Sequence, residues 1–304
     1  MAYDSIVCVK QVPDTANITA EAMKEDGTVN RAALPTIFNP EDLHALETAL
    51  ELRDRYGGTI TVITMGPPKA ADVLRDSLFR GADRAILLTD RRAAASDTLA
   101  TSYILAQAVK TVGRYDFVFC GRQAIDGDTA QVGPQCAEKL GIPQITYLEE
   151  LVSVHDRIVR IRRSIGHGWE IVEARLPVLV TVVETANRPR PLGAKRVMRL
   201  KRAKVPAEVA AEVKAAMPDA SEEQLAAENR RRTESLKACG LLLEQWGLDE
   251  IHADLMRCGL AGSPTKVHRV QAIVLTKEGF TDVPPTHAGI GQMVHELVVD
   301  RTWG

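Results

Sequence analysis

Over its first half the chain alternates short apolar runs with amphipathic stretches. Residues 5–9 have the character of a buried strand, which Lys10-Gln11-Val12-Pro13-Asp14 breaks. A polar stretch with a turn at Asp26-Gly27 continues to Leu34. Asn39-Pro40-Glu41-Asp42 then opens a helix, with Asn39 as cap and Pro40 at the first helical position. Leu43, Leu46 and Leu50 fall at helical spacing beside Ala45 and Ala49, giving one apolar stripe that ends at Gly57-Gly58. Strands follow at residues 59–64, 84–89 and 117–120, separated by helices at 69–80 and 97–112. This order predicts an α/β fold, a mostly parallel sheet flanked by helices.

The pattern changes after Gly141. Residues 144–151, 157–164 and 169–173 read as strands joined by polar turns, and 178–183 as a further buried strand, so the sheet extends with antiparallel members and ends near Glu184. Ile158, Val159 and Ile161 interleave with Arg157, Arg160, Arg162 and Arg163, which leaves one face wet. Arg188-Pro189-Arg190-Pro191-Leu192-Gly193 is a linker by composition, and a basic run follows at 195–204. Residues 207–257 are helical in pattern, with a second helix start at Pro218-Asp219-Ala220-Ser221-Glu222-Glu223. A strand at 270–275 and a closing helix at 292–299 complete the chain. The expected organisation is a nucleotide-binding domain at 1–186, a basic linker at 187–206, a helical insertion at 207–260 and a C-terminal arm at 261–304.

Between the strand at 117–120 and a helix expected from Gln135 lies Gly-Arg-Gln-Ala-Ile-Asp-Gly-Asp-Thr-Ala-Gln-Val-Gly-Pro, residues 121–134. Open parallel sheets bind ligands in such strand-to-helix turns. Asp128 or Thr129 is placed to cap the helix, whose free N–H groups suit a phosphate; the same pattern also describes an ordinary capped loop. The first strand is followed by Lys10-Gln11 rather than a glycine-rich turn, so any nucleotide is held differently from the usual dinucleotide grip. Turns at 8–10, 64–66 and 121–133 converge at the strand ends in this reading, with Asn39 beside them. Gly289-Ile290-Gly291 lacks the third glycine of a dinucleotide fingerprint.

Composition narrows the classes. The chain has 304 residues, is 45% hydrophobic and 26% charged, and carries a net charge of -2, which gives no reason to expect nucleic acid. No apolar run has the length of a membrane span, and no basic, apolar leader precedes the first strand, which points to the cytoplasm. Five cysteines include no C-x-x-C pair, and Cys8 and Cys120 read as small buried hydrophobes. Seven scattered histidines suggest no metal site.

Several ordered motifs together resemble the beta subunit of electron-transfer flavoproteins. They are Val7-Cys8-Val9-Lys10-Gln11-Val12-Pro13-Asp14, Asn39-Pro40, Thr64-Met65-Gly66-Pro67, Leu74-Arg75, Gly81-Ala82-Asp83-Arg84, Asp97-Thr98-Leu99-Ala100-Thr101, residues 121–134, Leu176-Pro177, Thr181-Val182 and Ala261-Gly262-Ser263-Pro264-Thr265-Lys266-Val267. The resemblance implies a Rossmann-like fold of the adenine-nucleotide alpha-hydrolase kind and a heterodimer with an alpha subunit. In the ordinary branch the beta-subunit site holds structural AMP. In the electron-bifurcating branch it holds FAD, which takes hydride from NADH and sends one electron to ferredoxin or flavodoxin. The other goes through the alpha-subunit FAD to an acyl-CoA dehydrogenase-type partner. Asp126-Gly127-Asp128-Thr129-Ala130-Gln131-Val132-Gly133-Pro134 resembles the bifurcating branch, and its small residues leave room for a flavin.

Carried over by motif, the implied nucleotide contacts are Cys8, Asn39, Pro40, Glu41, Asp42, Met65, Gly121, Arg122, Gln123, Ala124, Ile125, Asp126, Gly127, Asp128, Thr129, Ala130, Gln131 and Val132. No side chain is implied as catalytic, because the chemistry belongs to the flavin. Leu192 falls where the family has its recognition loop for the dehydrogenase, and 207–257 is longer than the family's usual connection. The competing readings are an AMP-containing, non-bifurcating subunit and a universal-stress-type nucleotide-binding module.

Overall fold

Strands and helices alternate as the hydrophobic pattern requires, and the helices fall on both faces of one sheet. The computed structural model describes residues 2–14, 34–265 and 282–299. Its strands are β1 (Ser5–Cys8), β2 (Gln11–Pro13), β3 (Thr36–Phe38), β4 (Ile60–Met65), β5 (Arg84–Leu88), β6 (Phe117–Gly121), β7 (Gln144–His155), β8 (Ile158–Ser164), β9 (Trp169–Arg175), β10 (Val178–Val182) and β11 (Glu244–Trp246). Its helices are α1 (Pro40–Tyr56), α2 (Ala71–Arg80), α3 (Thr98–Val112), α4 (Val132–Leu140), α5 (Ala194–Leu200), α6 (Pro206–Ala216), α7 (Glu222–Ala238) and α8 (His287–Val299).

Nine strands form the main sheet in the order β11-β5-β4-β1-β6-β10-β7-β8-β9. Neighbours from β11 to β7 are parallel. The β7–β8 and β8–β9 pairs are antiparallel. The parallel strands are apolar along their whole length because helices cover both sides. Leu46 and Leu50 of α1 and Leu74 of α2 pack with Val7, Val62 and Phe119 on one face. Ile104 and Val109 of α3 and Cys136 of α4 pack with Ile6, Ile63 and Val118 on the other. The chain therefore changes face between β1 and β6, which makes the gap at their carboxyl ends a topological switch point.

Three expectations are revised. Residues 10–14 do not merely break the first strand, since β2 pairs antiparallel with β3 in a small separate sheet. Nor does the main sheet end near Glu184. Part of the region read as helical through residue 257 returns to it as β11, which pairs in parallel with β5. Arg84 fixes that edge, its Nε and Nη2 donating to the Glu244 carboxylate at 2.6 and 2.7 Å with its guanidinium 5.4 Å from the Trp246 ring. Leu248, Ile251 and Cys258 continue into the core beneath α3. Strands this short carry no periodicity, and only their tertiary pairing defines them.

Helix α8 begins at His287, ahead of the expected 292, and contains Gly289 and Gly291. At the start of α7, Ser221 caps the helix and exchanges hydrogen bonds with Gln224, as the motif predicts. Among the described residues no helix is long and apolar enough to cross a membrane. The turn at Asp26-Gly27, the strand expected at 270–275 and the residues Lys266 and Val267 lie outside the described residues.

Candidate functional site

A cleft of about 380 Å³ opens at the switch point, lined by the ends of β1, β4 and β6, by the loop after β6 and by the first turns of α3 and α4. The three turns expected to converge do meet here.

The first turn of α1 holds the loop in place from behind. Asn39 occupies the N-cap position but makes no side-chain cap bond, which corrects its expected role. Its amide instead clasps the loop, Nδ2 donating to the Gln123 carbonyl at 2.8 Å and Oδ1 accepting from the Ile125 N–H at 3.1 Å. Glu41 accepts from the Gln123 N–H at 2.8 Å and from Arg122 Nη2 at 2.6 Å. Asp42 joins β1 to β6, its Oδ2 accepting from the Lys10 N–H at 2.8 Å and its Oδ1 from the Gly121 N–H at 3.0 Å. Burial pushes the Asp42 carboxyl up to about 7, against the pull of the Asn39 amide and these two N–H groups. At Gly121 the strand passes so close to α1 that a Cβ would lie 2.5 Å from Asp42 Oδ1 and 2.8 Å from the backbone of Glu41 and Asp42.

Helix α4 begins at Val132, earlier than expected, with Gln131 at its N-cap position and no side-chain cap. Neither Asp128 nor Thr129 caps it. Asp128 has φ 48° and its Oδ1 accepts from Gln123 Nε2 at 3.0 Å, so it shapes the loop internally. The opening turn of α4 faces the cleft through Gln131, Val132 and Gly133, and first-turn N–H groups have no intrahelical acceptor. The start of α3 lies beside it, presenting Thr98 and Thr101, and Thr98 Oγ1 is 2.9 Å from Gln131 Oε1. The start of α4, which has no side-chain cap, favours an anionic group such as a phosphate, and the α3 side adds the hydroxyls of Thr98 and Thr101.

Asp97 caps α3, its Oδ1 accepting from the Ala100 N–H at 2.9 Å and its Oδ2 from the Thr265 N–H at 3.0 Å. Although burial works to raise it, these N–H groups hold the Asp97 carboxyl below the ordinary carboxylate value. Lys10 reaches across the mouth to Asp126, with Nζ 2.7 and 2.8 Å from its two oxygens. On the floor, a hydrogen bond with Cys8 and burial hold the Cys120 thiol well above its ordinary value, and burial raises Cys136 as well. These thiols are protonated packing groups at neutral pH.

Of the residues proposed from the sequence, Cys8, Asp42, Met65, Gly121, Arg122, Gln123, Ala124, Gly127, Thr129, Ala130, Gln131 and Val132 line the cleft. Asn39, Pro40, Glu41, Ile125, Asp126 and Asp128 are not among its lining residues, and all but Pro40 shape or hold the loop as described. Leu192 is elsewhere, in the linker that bonds to the end of α2 through the Gly193 N–H and Phe79 carbonyl. Ser96, Asp97, Thr98, Thr101 and Leu105 also line the cleft and were not proposed as contacts. Asp97-Thr98-Leu99-Ala100-Thr101 is one of the motifs that carry the family resemblance, but none of its residues was carried over as a contact.

Residues 26–213 match the family described as electron transfer flavoprotein domain. The chain is 40% identical over 292 residues to an electron transfer flavoprotein subunit beta of Clostridium acetobutylicum, covering 96% of each chain. It is 48% identical over 272 residues to the protein of that name from Megasphaera elsdenii, covering 87% of this chain and 86% of the other. It is also 38% identical over 300 residues to the caffeyl-CoA reductase-Etf complex subunit CarD of Acetobacterium woodii, covering 98% of this chain and 94% of that one.

Proposed function

This chain belongs to the electron transfer flavoprotein family, among its beta subunits, and on that footing we propose that it carries FAD in an electron-bifurcating heterodimer with an alpha subunit. The observation that carries this reading is the loop at 126–133. A Cβ at Gly127 would meet nothing within 4 Å, so the loop leaves open space beside the uncapped start of α4 and the hydroxyls of Thr98 and Thr101. That donor set fits the diphosphate of a dinucleotide. The Acetobacterium relative, by its name a subunit of a complex with caffeyl-CoA reductase, supports an acyl-CoA dehydrogenase-type oxidoreductase as the partner here.

When bound, FAD supplies hydride acceptance from NADH and delivery of the two electrons along separate routes, to ferredoxin or flavodoxin and to the alpha-subunit FAD. This chain's residues supply position and electrostatics. The start of α4 with Thr98 and Thr101 would hold the phosphates, and Asn39, Glu41 and Asp42 hold the loop beside them. The Cys120 thiol, held well above its ordinary value by its hydrogen bond with Cys8 and by burial, stays neutral on the floor. Lys10 and Asp126 offset each other's charge at the mouth. Leu192, 43% exposed, is the contact offered to the dehydrogenase.

One observation favours a second reading. A cleft of about 380 Å³ is toward the small end of small-molecule sites and suits AMP, the ligand of a non-bifurcating subunit. Denaturing the copurified heterodimer and quantifying the released nucleotides separates the two. Two FAD per heterodimer is the expected result, and one FAD with one AMP would overturn bifurcation. Gly127→Trp is expected to reduce the content to one FAD per heterodimer while leaving the melting temperature of the nucleotide-free protein unchanged. Full flavin content in that variant would place the flavin away from this loop.

A further inference from the structure

The linker at 187–193 is fastened along its length. Asn187 Nδ2 donates to the His44 carbonyl at 3.0 Å and to Thr48 Oγ1 at 2.9 Å. Arg190 is held by Glu47, which is 5% exposed. The Arg190 N–H, Nε and Nη2 all donate to that carboxylate at 2.8 to 3.0 Å, and Nη2 also reaches Asp54 at 2.9 Å. Arg80 donates to the Arg190 carbonyl, and the Gly193 N–H to the Phe79 carbonyl at 3.0 Å. Between these fixed points Leu192 remains exposed. Helix α5 follows with exposed Met198, Lys195 and Arg199, and no acidic residue occurs between Glu184 and Glu208.

We propose that Glu47 and Arg190 are positioning residues that hold Leu192 as a pre-shaped anchor for an oxidoreductase with an apolar pocket rimmed by carboxylates. The proposal rests on Leu192 being the partner contact. A buried carboxylate facing several donors of one arginine has a single good arrangement, because leaving either group unpaired is costly. Fixing the linker before the encounter removes most of the ordering entropy that a mobile loop loses on docking. The basic flank adds complementarity to an acidic rim. Leu192 is not among the residues that line the cleft, and the segment after it is fastened to the last turn of α2, which leads into the start of β5, away from the carboxyl strand ends where the cleft opens. Loss of Leu192 therefore weakens association without slowing electron flow inside the complex.

The test uses the intact heterodimer and its acceptor dehydrogenase, with electron transfer followed at varied acceptor concentration. Leu192→Ala is expected to raise the KM for the acceptor about tenfold, the scale of one lost anchor residue, with kcat and nucleotide content unchanged. Glu47→Gln is expected to give a comparable rise in KM. Combining the two should be no worse than Leu192→Ala alone, because a residue that acts only through another adds nothing once that one is gone. Arg190→Gln changes the pair from the linker side, its amide still offering a donor to the buried Glu47 carboxylate, and should reproduce the KM effect even if Glu47→Gln folds poorly. A wild-type KM for Arg190→Gln, or effects of Glu47 and Leu192 that multiply, would overturn the positioning role. An unchanged KM for Leu192→Ala would instead overturn the docking reading, and the proposal with it.

Discussion

Replacing Gly121 with alanine is expected to empty the cleft and destabilise the domain by about 3 kcal/mol or more, at or beyond the upper end for overpacking. The new methyl group would sit 2.5 Å from Asp42 Oδ1 and 2.8 Å from the Asp42 nitrogen and the Glu41 carbonyl carbon. These atoms belong to a helix start and a buried carboxylate, and no flexible side-chain tip is available to give way. Relief requires the first turn of α1 to move off β6. That turn carries Asn39, Glu41 and Asp42, so the bonds to Gly121, Gln123 and Ile125 stretch together. Gly127→Ala is the matched control, since its methyl group meets nothing within 4 Å. Thermal unfolding and nucleotide content should separate the two variants sharply. A Gly121→Ala protein with wild-type melting and full nucleotide would show that α1 does not brace the loop.

The second large effect is a pH dependence centred on Asp42. Its carboxyl is raised from 3.8 to about 7 by burial, so between those values the folded state holds a proton that the unfolded state releases. The stability this group contributes is therefore complete below about pH 4 and is lost as pH rises through 7, an effect on the order of a few kcal/mol. Asp42→Asn removes the titration but sets its amide NH2 against either the Lys10 or the Gly121 N–H, a mismatch costing about 1–3 kcal/mol at every pH. Wild type should therefore exceed the variant most near pH 5 and least near pH 8, read from urea unfolding at each pH. A stability gap independent of pH would mean that Asp42 is ionised in the folded protein throughout this range.

The site was legible in proportion to how local its signals are. Residues 121–134 stood out because glycines and acids between an apolar strand and a helix form a recognisable turn, and most of them line the cleft. Asn39 was noticed for the right place and the wrong reason. An Asn before Pro40 looks like a cap, and nothing nearby in sequence reveals that its amide faces Gln123 and Ile125, more than eighty residues away. Thr98 and Thr101 belong to a motif that stood out in the sequence, but their place in the site did not, because only the packing of α3 against α4 brings them to the cleft. The linker at 188–193 was legible as a linker from its prolines, but composition does not reveal that Glu47 lies beneath it and holds Arg190.

By itself the sequence determined the alternation of strands and helices, the parallel core and the turn that lines the cleft. Hydrophobic period, helix starts and glycine stops are properties of neighbouring residues and act before the chain is compact. Tertiary structure alone decided how that turn is braced, where β11 joins the sheet and what holds Leu192 in place. Each depends on hydrogen bonds or pairings between groups far apart in the chain. Asp42 shows the division most clearly: beside Pro40 it is one more acid in a first helical turn. Between Lys10 and Gly121 it becomes a buried carboxyl that joins two strands, because folding removes its water and leaves two backbone N–H groups in its place.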